Sequence, residues 1–229
     1  GPRKKLRHNS ALKIQQFEML GLEYADDLRI EMSGPTIKEV DIRINSARKG
    51  ESVLEGFLEM EFGSQIKMNG TINSSKARAN NLMSIFFEPL DVDADVEGTV
   101  DIWGDLSDLH LQADLQLSKI SLWGEPFDTG IFKLHQNQDQ MTIEELSVER
   151  KDGLGSALMR GSRVEDNNNF EILVGGLPIE YLTLVLEGKT PLRGKADFIG
   201  KLQGASWIPS GSLRIRDVWY GNEPFGSGD

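Results

Sequence analysis

Histidine is the residue type best suited to acid–base chemistry or metal ligation near neutral pH, and this chain has three: His8, His110 and His135. His110 falls at a polar position of an alternating run, and His135 precedes a segment rich in Gln and Asn. No His-Glu-x-x-His motif is present, so we interpret both as surface residues. The absence of cysteine excludes thiol catalysis, zinc–thiolate sites and disulfides.

A series of acidic residues at every second position, 91 to 97, suggests calcium ligation at first sight. An EF-hand loop that starts at Asp91 needs Gly at its sixth position and Glu at its twelfth. Those positions hold Val96 and Ile102. The acidic residues alternate with apolar ones, so we predict that they form the solvated face of a strand rather than a metal site.

Other catalytic signatures are missing from the sequence. It has no phosphate-binding glycine-rich loop and no Gly-x-Ser-x-Gly nucleophile elbow, and its many carboxylates single out no glycosidase pair. Four tryptophans offer stacking surfaces for sugars, but their positions favour packing at strand ends: Trp103, Trp123, Trp207 and Trp219. We therefore predict a protein without catalytic activity and without a cofactor.

The net charge of −11 argues against nucleic acid as a partner, because phosphate binding needs clustered Lys and Arg. The one basic cluster, residues 3–8, is interpreted as a solvated N-terminal tail. Gly1-Pro2 resembles a scar left by tag cleavage and is set aside. No run approaches the ~20 apolar residues of a membrane-spanning helix, so any membrane anchor is expected to lie outside this fragment.

The dominant pattern has a period of two. Val40, Ile42 and Ile44 alternate with charged residues, as do Leu58 and Met60. Residues 92–102 and 109–117 alternate in the same way. Strands with one apolar and one polar face are typical of antiparallel sheets. We predict an all-β chain, a meander of about sixteen strands.

Turn signals and two irregular segments punctuate these runs. Asn69-Gly70, Asp152-Gly153 and the asparagines at 167–169 predict turns. Short helical or irregular crossings are expected at residues 76–87 and 178–186.

The sequence also repeats itself. Residues 96–104 resemble residues 192–200, and the Glu-Pro-Phe that begins at Glu125 returns at Glu223. We predict one continuous array: a scar and basic tail (1–10), the end of one repeat (11–91), a full repeat (92–190) and the start of the next (191–229).

These repeats resemble a known family. The pattern Gly-x-apolar-x-apolar-x-Gly at 98–104 and 194–200, followed by Pro-x-Gly-x-Leu-x-Ile-x-x-Val at 209–218, is similar to the TamB/AsmA-like repeat. Tyr220-Gly221 and Phe225-Gly226 fit it as well, and the likeness covers residues 90–229.

The resemblance implies a curved, mainly antiparallel sheet folded into an open apolar trough, called a β-taco or repeating β-groove. It implies a periplasmic location within a Gram-negative envelope protein that is anchored in the inner membrane. Phospholipid acyl chains are the implied ligand, and outer-membrane biogenesis the implied role. For the TamB branch, a translocation and assembly module, it also implies an outer-membrane β-barrel partner.

A sheet with one apolar face must cover that face, and this sequence supplies few helices and few aromatic residues (7%) to do so. Lipid in a trough is one solution, and we predict that eleven residues line it: Val40, Ile42, Ile44, Leu58, Met60, Val100, Ile102, Leu115, Leu117, Leu213 and Ile215. Two alternatives stay open. The same residues would form the dry core of a structural or adhesive β-array, or of a carbohydrate-binding sandwich or β-helix hydrolase.

Overall fold

A computed structural model describes residues 8–19, 22–36, 38–83, 92–122, 125–151, 153–179, 192–205 and 210–228. Within these ranges the chain is almost entirely β-structure. One short helix, α1 (Ala79–Met83), lies between the fifth and sixth strands. The strands are β1 (His8–Met19), β2 (Leu22–Thr36), β3 (Glu39–Lys49), β4 (Ser52–Phe62), β5 (Ile66–Arg78), β6 (Val92–Asp105), β7 (Asp108–Leu122), β8 (Glu125–Gln136), β9 (Gln140–Glu149), β10 (Ser156–Val164), β11 (Asn167–Pro178), β12 (Leu192–Gly204), β13 (Ser210–Tyr220) and β14 (Glu223–Gly228).

The topology is a simple meander. The described strands form one 14-stranded sheet whose order follows the sequence from β1 to β14. Every neighbouring pair is antiparallel, as in the hairpins β6–β7 and β7–β8. The prediction of an all-β, antiparallel chain is confirmed, with fourteen described strands against about sixteen expected from the alternating runs.

The turn predicted at Asn69-Gly70 is wrong. Both residues lie within β5, where they pair with Glu59 and Leu58 of β4. The chain reverses earlier, at residues 63–65. A Cβ atom at position 70 would overlap the carbonyl oxygen of Phe57, so Gly70 permits close contact between strands instead of a turn.

The asparagine turn is also displaced. Asn167 begins β11, and the reversal falls on Glu165 and Asp166, where Glu165 takes a left-handed conformation (φ 52°). Around the predicted Asp152-Gly153 turn, Gly153 adopts a positive φ of 67° between β9 and β10, while Asp152 lies outside the described residues.

Of the two predicted crossings, the first contains the short helix α1, while residues 76–78 still belong to β5. Residues 84–87 lie outside the described ranges. The second crossing, at 178–186, also lies mostly outside them, beyond Ile179.

A bulge-like feature recurs every six strands. Gln16 in β1, Lys119 in β7 and Asp217 in β13 all have left-handed φ values, 53°, 49° and 54°. Each of these residues follows the last aliphatic residue of an alternating run by two positions. The pairing register with a neighbouring strand shifts close to each of them. We call β1–β6 the first unit and β7–β12 the second unit. The domain boundaries predicted above stay a prediction.

Some of the buried side chains form two clusters, one from β6 to β9 and one from β9, β11 and β12. One contains Ala94, Ile120, Phe127 and Val148. The other contains Ile143, Phe170 and Leu202.

Candidate functional site

The strand register places all eleven predicted lining residues on one face of the sheet. Residues directly opposite each other in an antiparallel pair project to the same side, as do residues two apart along a strand. Ile42 lies opposite Leu58, and Val40 lies opposite Met60. We call the side that carries these residues the row face and the other side the opposite face.

Lines of directly paired residues cross the row face from strand to strand. The central row takes one residue from each of β1 to β12, and every member is apolar or glycine. Its members are Leu12, Ile30, Ile44, Gly56, Ile72, Val100, Ala113, Leu134, Ile143, Gly161, Phe170 and Leu202.

A second row runs beside it from β1 to β13. Its members are Ile14, Leu28, Ala47, Leu54, Ser74, Gly98, Leu115, Phe132, Leu146, Met159, Ile172, Gly200 and Gly211. Ser74 is its one polar residue, and its hydroxyl donates a 2.8 Å hydrogen bond to the carbonyl of Val96. The hydroxyl is therefore satisfied by the neighbouring strand.

A third, shorter row runs from β5 to β13 and again holds only apolar residues and glycine. Its members are Ala77, Val96, Leu117, Gly130, Val148, Ala157, Val174, Phe198 and Leu213. Ile215 lies on the same face, two residues beyond Leu213 and opposite Ala196.

On the other side of the central row, the apolar character ends within the second unit. A line of directly paired residues runs there from β3 to β7. Its members are Ile42, Leu58, Gly70, Ile102 and Leu111. The next partners along this line include Gln136 and Arg163. This edge of the row face is therefore apolar in the first unit and more polar in the second.

The predicted lining residues are mostly half-buried. Val40 is buried, Leu213 is 46% exposed, and the other nine have intermediate exposure. The fully buried side chains of the row face, such as Phe170, are residues that the sequence reasoning did not single out. Their place in the central row depends on pairing between distant segments, which the alternating pattern alone does not reveal.

The opposite face carries the charged and polar partners. Arg78 contacts both Asp93 and Asp95, and Lys119 lies 2.9 Å from Asp95. The hydrogen bonds from Lys119 and Arg78 hold the pKa of Asp95 below its usual value. Asp93 and Asp95 of the series that resembles a calcium loop thus lie on a strand face beside Arg78 and Lys119, whereas Asp91 lies outside the described residues.

Two of the histidines come together on the opposite face. His110 stacks on Trp103 with ring centroids 5.5 Å apart and an interplanar angle of 8°. His135 lies 5.9 Å from Trp103 and 6.2 Å from His110. Trp103 lies two residues before the end of β6, and the alternating pattern did not predict that both histidines pack against it. Within the described ranges, no group of three or more His, Asp or Glu residues has a metal-binding arrangement.

The other tryptophans give less information. Trp219 is 43% exposed in β13, whereas Trp123 and Trp207 lie outside the described residues. No helix in the described part of the chain is long and apolar enough to cross a membrane.

Comparison with known proteins found no matching family model, no matching curated protein and no matching solved structure. The TamB/AsmA-like resemblance therefore stays a prediction from the sequence. The feature of the molecule that most needs a functional explanation is the set of rows of apolar residues and glycine on one face of a single sheet.

Proposed function

We propose that this chain binds phospholipid acyl chains along the row face and conducts them, as part of a periplasmic, inner-membrane-anchored envelope protein of the TamB/AsmA-like kind. The proposal places the row face inside an open trough, with no chemical step. The single observation that carries it is the central row, which continues through twelve strands without a polar side chain.

Half-burial of the lining residues supports a ligand on this face. In a closed sandwich, side chains of the inner face are largely buried by a second layer. Here Ile42, Val100 and Leu115 keep intermediate exposure. The two buried clusters combine residues of strands that lie close together in the sheet, β6 to β9 in one and β9, β11 and β12 in the other. Both observations favour an apolar surface that an external apolar ligand covers.

The energetics are sufficient for lipid binding. Each CH₂ group removed from water contributes about 0.8 kcal/mol. An acyl chain that buries about a dozen of these groups gains roughly 10 kcal/mol before the cost of ordering the chain is subtracted. The rows offer similar contacts from strand to strand, so a lipid would meet no deep minimum along the sheet. The charged opposite face would keep the protein soluble.

The test is mass spectrometry of lipid extracted from the purified protein, with added phospholipid as a second arm. We expect stoichiometric phospholipid on the parent and its loss from the double variant Leu115→Asp/Leu213→Asp. The matched control is Gln116→Asp/Ser212→Asp, which adds the same charges to the same two strands on the opposite face. The control should keep its lipid.

Two outcomes would sink the proposal. A parent protein that is lipid-free and takes up no added phospholipid would favour the closed structural array. Equal lipid loss from both double variants, with both folded by circular dichroism, would place the lipid somewhere other than the row face.

A further inference from the structure

The opposite face of the second unit carries an apolar line of its own. Ile131, Ser147, Leu158, Leu173 and Ile199 are paired in succession across β8 to β12. We call the four aliphatic residues, Ile131, Leu158, Leu173 and Ile199, the outer patch. Ile131 is 38% exposed and Ile199 is 64% exposed. These four side chains project away from the row face, so they do not contribute to its apolar surface.

The fold itself does not demand this patch. Ile199 occupies the same place in the internal repeat as Trp103, since residues 192–200 align with 96–104. The line through Trp103 in the first unit is polar, because its successive partners are Asn69, Glu59, Asp41 and Ser33. Of these two equivalent lines, only the one in the second unit is mainly aliphatic. An exposed apolar patch that the repeat does not require indicates a binding surface.

The outer patch forms the floor of a concavity of about 570 Å³. Three carboxylates, Glu145, Glu149 and Asp197, also line it, and no Lys or Arg does. Arg216, which is not part of the lining, donates hydrogen bonds of 2.6 and 2.9 Å to Asp197. Glu145 accepts a 2.8 Å hydrogen bond from Ser147. The concavity thus combines an apolar floor with acidic walls.

This combination selects one class of occupant. An anionic lipid surface or a nucleic acid would bring like charge to the carboxylates. A peptide with alternating aliphatic and basic residues matches both features, because its aliphatic side chains meet the patch and its cations meet Glu145 and Glu149. We propose that the outer patch docks a basic, amphipathic segment of a partner protein. This proposal is independent of lipid binding, since the two surfaces lie on opposite sides of the sheet.

The experiment is fluorescence anisotropy with two labelled synthetic peptides, one of alternating Leu and Lys and one of alternating Leu and Glu. The basic peptide is expected to bind the parent protein, and the acidic one is not. Ile131→Thr/Ile199→Thr keeps β-branched residues in the strands while it removes the apolar floor. This variant and Glu145→Gln/Glu149→Gln should each weaken binding of the basic peptide by about tenfold or more.

Matched controls lie on the opposite face of the first unit. Phe57→Thr removes a side chain that is 43% exposed there, and Glu55→Gln/Glu59→Gln removes two carboxylates from the same strand. Both controls should bind the basic peptide as the parent does. The proposal is overturned if the parent binds neither peptide or binds both equally, or if controls and patch variants weaken binding alike.

Discussion

The two six-strand units share the central row of the row face and differ on the opposite face. The central row crosses β1 to β12 with only apolar residues and glycine. On the opposite face, the line through Trp103 is polar in the first unit, whereas the line through Ile199 is largely aliphatic in the second. A property that both units repeat belongs to the whole array, and it is this property to which we attribute the proposed lipid binding. A property of one unit belongs to a local contact.

The units also differ in how deeply their side chains are buried. Both buried clusters draw mainly on β6 to β12. In the first unit the described residues of the central row are not buried: Leu12 is 46% exposed, and the others, such as Ile44 and Ile72, have intermediate exposure. The second unit should therefore supply more of the stability of the sheet.

The largest expected effect compares the fifth strands of the two units. Phe170 in β11 is 0% exposed and occupies the central row, where Ile72 of β5 is half-buried. Phe170→Ala should lower the free energy of unfolding by about 3–5 kcal/mol because it leaves a cavity. Ile72→Ala should cost about 1–2 kcal/mol, below the range for full burial. Urea unfolding measures both, and equal losses would contradict the asymmetry between the units.

A smaller effect is expected from the ion pairs at the ends of β3 and β9. In the second unit, Arg150 binds Glu125, with side chains 14% and 9% exposed. In the first unit, Lys49 lies 3.8 Å from Asp26, with side chains 19% and 50% exposed.

Arg150→Met leaves the Glu125 carboxylate buried without that cation and should destabilise the protein by about 3 kcal/mol. Lys49→Met should cost at most about 1 kcal/mol, since water reaches Asp26. The urea midpoints of the two variants measure both losses. A larger loss of stability from Lys49→Met than from Arg150→Met would contradict the expectation that the buried ion pair matters more.

The smallest effect concerns acid stability, which should be similar in the two units. Hydrogen bonds from Lys119 and Arg78 lower the pKa of Asp95, and those from Arg216 and the Gly176 amide lower the pKa of Asp197. A carboxylate whose folded pKa lies below its unfolded value of 3.8 stabilises the fold above that value. The contribution is lost as the pH falls through the folded pKa.

Asp95→Asn and Asp197→Asn should each remove about 0.5–1 kcal/mol at pH 7 and flatten the fall in stability below about pH 4. Urea midpoints between pH 7 and pH 2.5 measure the slope. Glu97→Gln, an exposed carboxylate on the same strand as Asp95, is the control. An unchanged acid slope in both Asp variants would show that these hydrogen bonds do not stabilise the fold.

The strands were predictable from the sequence, but several of their ends were not. Alternation identified the strand around Val40 and Ile44 because the side-chain period of two is a local steric property. Asn69-Gly70 predicted a turn because this pair suits tight hairpins. In the sheet, Gly70 instead allows β4 to approach closely, because a side chain at position 70 would overlap the backbone of Phe57.

The apolar side of individual alternating strands was predictable from the sequence, whereas the continuity of the row face across the strands was not. Period-two alternation says that Ile102 and Leu111 each lie on an apolar side of a strand. The antiparallel register makes them direct partners, and register depends on bulges such as that at Lys119, which no local propensity fixes.

By itself, the sequence determined that this chain is a repeating antiparallel β-structure with one apolar and one polar side to its strands. The reason is that composition and alternation act within a few residues. Only the tertiary structure brought Ile131 near Ile199 and Trp103 near His135, because these contacts arise from pairing between strands far apart in the chain. Both the continuous rows and the outer patch are products of that register.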